Sequence, residues 1–174
     1  RIGKFLLSAF LVIALNTSVK AQTSVAGDIA FSGYTSTVTD EFSFVLLKAF
    51  PAGELIRFTC NGWLNTSVFR VGEETVNWTV PAGGLPAGTE ILISGLTATR
   101  AGGGAAGTVT GTALNLSTVG DQVIAYYSAV EAVAPYIFIS AIHMNVYTTL
   151  IGDPFSTTAA AWDGAGANTS NGSA

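Results

Sequence analysis

The chain has 174 residues, enough for one domain with a sizeable core. Only 10% of them are charged, against roughly 25% in an average domain, which argues against a helical bundle with its Lys, Glu and Arg outer faces. The formal net charge is −4; beyond residue 21 all eleven acids remain against four bases (Lys48, Arg57, Arg70, Arg100), so that portion is near −7 and would repel a phosphate backbone.

Residues 1–21 read as a secretory signal peptide. Arg1 and Lys4 give a basic start, residues 5–15 (FLLSAFLVIAL) an apolar run, and Val19 and Ala21 the small residues before a cut ahead of Gln22. The apolar run makes about 16 Å of helix, too short for a ~30 Å hydrocarbon core. No cysteine follows it, so a lipoprotein anchor is not supported. The remaining residues, 22–174, read as a single β-sandwich domain. Without an initiator Met, and stopping in SNGSA, the chain reads as a fragment truncated at its C-terminus. The sole cysteine, Cys60, has no partner for an internal disulfide and reads as a buried free thiol, so stability must come from packing.

Abundant glycine and β-branched residues predict an all-β chain. Residues 28–34 (DIAFSGY) predict a first strand with Ile29, Phe31 and Gly33 on one face. Residues 40–63 (DEFSFVLLKAFPAGELIRFTCNGW) predict a hairpin around Pro51-Ala52-Gly53, closed by a tight Asn61-Gly62 turn, with Trp63 as a lid. Phe42, Phe44 and Leu46 share one face of its first strand. Val45 and Leu47 make the other face apolar, which predicts a central strand. Residues 65–74 form a polar connection in which Glu73-Glu74 reads as solvated. Residues 75–80 (TVNWTV) alternate, with Val76, Trp78 and Val80 inward. The turn grammar Pro-Ala-Gly-x-x-Ile at Pro51 recurs at Pro86 before the strand 89–94, as reused turn chemistry.

Residues 98–107 (ATRAGGGAAG) read as a flexible loop. They lack the Gly-Lys-Ser/Thr of a phosphate cradle. Residues 108–110 and 122–127 (QVIAYY) predict strands. Residues 135–142 (PYIFISAI), apolar on both faces, predict a central one. Eight or so short strands imply a β-sandwich or open barrel.

Chemistry is sparse. His143 is the only histidine, and no G-x-S-x-G elbow exists. Two His/Cys residues exclude a protein-only zinc site. Calcium has weak candidates in Asp28, Asp40, Asp121 and Asp153, without EF-hand spacing; Glu41 and Asp163 belong to the same carboxylate set, in which no pair stands out for glycoside hydrolysis. Trp63 and Tyr126 are candidate sugar-stacking platforms, although aromatics at strand spacing more often fill a core. Asn65, Asn77 and Asn115 each open an Asn-x-Ser/Thr match, which a bacterial origin would make accidental.

The motifs GDIAF, DEFSFVLL, PAGELIRFT-NGW, EETVNWTVPAGGLPAGT and GDQVIAYY, spanning residues 27–127, resemble a group of secreted bacterial proteins, and the Lys20-Ala21-Gln22 junction is similar to signal peptides of the Bacteroidetes. The group is distantly similar to lamin-tail domains, which are immunoglobulin-like β-sandwiches. The resemblance implies a non-enzymatic module, secreted or at the outer cell surface, serving adhesion, assembly or another domain. Its partner would be an extracellular protein or a glycan. The chain departs from the group's pattern at Cys60, where the pattern has Asp, and at Glu74, where it has Gly. The expected reading is therefore an all-β, lamin-tail-type sandwich of about eight strands, without catalytic residues or an established cofactor. A carbohydrate-binding module is the alternative, and a hydrolase comes third.

Overall fold

The computed structural model describes residues 22–63, 67–118 and 120–145, and all regular structure in them is β. Nine strands form two antiparallel sheets, a β-sandwich. They are β1 (Ile29–Thr35), β2 (Glu41–Leu46), β3 (Leu55–Thr59), β4 (Thr75–Thr79), β5 (Glu90–Ser94), β6 (Thr97–Arg100), β7 (Thr108–Gly111), β8 (Gly120–Tyr127) and β9 (Ile137–Asn145). One sheet runs β1-β2-β5-β6 and the other β7-β4-β3-β8-β9. Phe42, Phe44, Leu46, Ile91 and Ile93 from the first sheet meet Ile56, Phe58, Val76 and Trp78 from the second. The rings interlock: Phe58 lies 4.9 Å from both Phe42 and Phe44, and Trp78 stands edge-on to Phe44. Period-two alternation places these residues inward, and aromatic pairs at such spacing add roughly 0.5–1.5 kcal/mol each beyond area burial.

The stretch 40–63 is not a hairpin. β2 and β3 belong to different sheets, and the Pro51-Ala52-Gly53 turn carries the chain across the sandwich between them. The second Pro-Ala-Gly turn lies on another crossing, from β4 back to β5. The crossings are joined where Phe50 and Leu85 form an antiparallel bridge. Thus the repeated turn grammar marks the corners at which the chain changes sheet.

Other expectations are corrected. β2 is central, between β1 and β5, but its second face is not buried, since Leu47 just beyond it is 56% exposed. In β1 the register shifts around Ser32, a bulge, and Tyr34 rather than Gly33 packs on the core. Asn61-Gly62 makes no tight turn. The buried Asn61 side chain donates to the Glu73 carbonyl at 3.0 Å and accepts from the Glu73 N–H at 3.1 Å. Residues 98–107 are only partly a loop: β6 occupies their start, and at their end Ala106 is buried and accepts a hydrogen bond from Trp78 Nε1 at 2.7 Å. β9 is an edge strand. It is apolar on both faces because its second face packs on an aromatic cluster of Trp63, Phe69, Tyr126 and Tyr136. That cluster lies on the outer face of the five-stranded sheet, since Ile124 and Tyr126 alternate with the inward Val123 and Ala125.

Candidate functional site

Among the described residues, the calcium candidates Asp28, Asp40 and Asp121 do not join a cluster of three ligand atoms. Asp28 is ion-paired with Lys48 at 2.5 Å and accepts from the Val25 N–H at 2.6 Å. Asp40 sits half-buried just before β2. Asp121 is 1% exposed at the start of β8 and accepts from the N–H groups of Ser117 (2.9 Å) and Gln122 (2.8 Å). Asp153 and Asp163 lie outside the described residues. His143 is half-buried on β9, in register with Gln122, and burial lowers its pKa. Tyr126 is 0% exposed, so it has no ring face to offer a sugar. Trp63 is half-buried rather than a lid on a sheet end, and Phe69, Tyr136 and Phe138 stand edge-on around it at 4.7–5.3 Å.

The structure builds a cluster that sequence reasoning missed. Cys60, directly after β3, meets Glu73 and Glu74, directly before β4, because these two strands pair antiparallel. Cys60 Sγ lies 3.5 Å from Glu74 Oε2 and 3.8 Å from Glu73 Oε2. Glu73 and Glu74 are therefore half-buried against the thiol, not solvated. The three ligand-type atoms lie within 4.8 Å of one another and are the one such group among the described residues. A His/Cys count could not find a thiol–carboxylate triad. The pairing of residues 59 and 75 is the signal that would have. Burial pushes the Cys60 thiol up, and the charges of Asp121, Glu74 and Glu73 push it further. Burial, then Glu74, raises Glu73. Burial, opposed by the two N–H donors and reinforced by Glu73 and Glu74, raises Asp121 to about 6. The thiol is thus protonated, donating toward carboxylates, and is a poor nucleophile.

An apolar concavity lies elsewhere. β1 and β9 are the edges of opposite sheets, and the hydrogen bond from the Gly27 N–H to the Ile139 carbonyl (2.8 Å) ties them together. Between them opens a groove of about 680 Å³. Ile29 and Phe31 line one wall, Ile139 and Ile142 the other, and Trp63 and Phe138 the rim. None of its twelve lining residues is charged and Ser140 alone carries a polar side chain apart from the Trp63 indole, so it excludes acid–base catalysis from its own walls. Phe138, at 37% exposed, and Ile137 extend the apolar surface along β9.

Among the described residues no helix is long and apolar enough to cross a membrane. No protein-family model matches the chain, and neither a curated protein nor a solved structure matches it.

Proposed function

We propose that the domain is a non-enzymatic, exported interaction module, acting in adhesion, in assembly or as an accessory to another domain, and that the β1/β9 groove receives its partner. The observation that carries this is the pairing of an uncharged apolar groove with two sheet edges. Edge strands present unpaired main-chain N–H and C=O groups, and proteins ordinarily blunt them with Lys, Pro or an inward charge. Ile137–Asn145 contains no Lys, Arg, Asp, Glu or Pro. An extended, uncharged polypeptide strand satisfies both features, with main-chain bonds to an edge and alternate side chains in the groove. A sugar would leave its hydroxyls unpaired against apolar walls. The nine-stranded antiparallel sandwich supports the lamin-tail, immunoglobulin-like reading, and the apolar run after a basic start supports export.

The test is titration of an uncharged Val-Thr repeat peptide, capped at both ends, followed by Trp63 fluorescence. Saturable binding to the wild type, lost in Phe138→Glu, is the expected result. Equal binding by both proteins, or binding of a glucose oligomer in its place, contradicts it.

A further inference from the structure

Gln22, Thr23 and Ser24 belong to no strand, yet they are held in place. The anchor is Glu54, only 6% exposed. Its Oε1 accepts from the Thr23 N–H at 3.2 Å and from the Ser24 hydroxyl, and its Oε2 accepts from the Thr23 hydroxyl at 2.8 Å. Lys48 Nζ donates to the Thr23 carbonyl at 2.7 Å. This clamp holds Gln22 as one wall of a notch of about 130 Å³ that Pro51, Gly53, Glu54, Leu55 and Tyr127 also line. The side-chain amide nitrogen of Gln22 is buried with no hydrogen-bond partner. A buried amide donor without a partner costs about 1–3 kcal/mol.

The sequence places the export cut between Ala21 and Gln22. Cleavage there turns the Gln22 nitrogen into an α-amine, whose ordinary pKa near 8 leaves a usable neutral fraction at neutral pH. We propose that Gln22 is a modification site: the processed terminus closes into a pyroglutamate lactam seated in the Glu54 notch, an inference that rests on the export reading. The neutral amine attacks Cδ of its own side chain. The N–Cδ bond forms, the Cδ–Nε2 bond breaks, and Nε2 leaves as ammonia with the proton the amine gives up. Nothing is oxidised and no second substrate is consumed. The atom expelled is the partnerless Nε2, so the reaction removes the unsatisfied donor. The product is neutral, and the half-buried notch is spared an ammonium group that Glu54, already accepting three hydrogen bonds, is poorly placed to receive. The donors of Thr23 and Ser24 take no part, so the clamp survives and holds the ring against the corner at Pro51.

The experiment expresses the full chain in a secreting host, labels free amines on the exported protein, and maps its N-terminal peptide by mass spectrometry. The expected peptide begins at residue 22, is lighter than the open form by one ammonia, and carries no label at its α-nitrogen. A labelled peptide beginning at Gln22 overturns the lactam and leaves export standing. A peptide beginning anywhere else overturns the lactam and the cut ahead of Gln22, and a chain retained in the cell overturns the export reading. Gln22→Asn, whose shorter amide cannot close the five-membered ring, should be exported with a labelled terminus. Seating is read separately with a pyroglutamyl aminopeptidase. The wild type should resist it, while Glu54→Ala, which releases residues 22–24, should be trimmed. Equal trimming of both overturns the seating.

Discussion

Phe50 and Leu85 exchange both main-chain hydrogen bonds, at 2.8 and 2.9 Å, and so lock together two crossings between the sheets. Gly84 makes the close approach possible. Its φ is +73°, and a Cβ there would stand 2.7 Å from the Phe50 carbonyl oxygen. Gly83, at φ +94°, has open space around the same position. Gly84→Ala is therefore expected to cost on the order of 3 kcal/mol, from left-handed strain plus displacement of the bridge, and Gly83→Ala only about 1 kcal/mol from strain. Urea denaturation of the two variants side by side measures the difference. Equal losses would mean that the corner bridge contributes little.

Cys60 should behave as an inert core thiol. Burial and three neighbouring carboxylates all raise its pKa, and among the described residues no cation acts to lower it. A thiol reagent at neutral pH is expected to modify the native protein only at the rate of unfolding, and the denatured chain at once. Rapid native labelling would show that the thiol is not enclosed by Glu73 and Glu74.

The same cluster sets a pH dependence. Asp121 is raised from 3.8 to about 6, so the fold favours its protonated form, and Glu73 shifts in the same direction. The stabilisation from Asp121 is fully present below the ordinary carboxylate range and is lost as pH climbs through about 6, and that from Glu73 is likewise lost as pH rises. For Asp121 the loss is on the order of 3 kcal/mol by neutral pH. The urea midpoint should therefore rise between pH 7.5 and pH 5, and Asp121→Asn should flatten that rise. A midpoint that falls over this interval contradicts the assignment.

The inward residues of β2, β4 and β5 were legible because strict alternation reports which face a residue takes. Alternation does not report which strand is the neighbour. For that reason residues 40–63 looked like a hairpin when Pro51-Ala52-Gly53 is a corner between sheets. β9 shows a related limit. Two apolar faces implied a central strand, yet the outer face is covered by loop aromatics, Phe69 and Tyr136, that no local pattern announces. Cys60 and Glu74 were each marked as departures from the pattern the chain resembles. Their 3.5 Å contact follows only from the pairing of β3 with β4. The groove was not legible at all, because its walls come from the first and last described strands.

The groove as a strand receptor is tested most directly by residue-resolved amide hydrogen exchange, with and without the capped Val-Thr repeat peptide. Strand addition predicts new protection at residues 137–143, at residues 29–31 or at both, and unchanged exchange in β6 and β7. Unchanged exchange along both β1 and β9 at saturating peptide would contradict it.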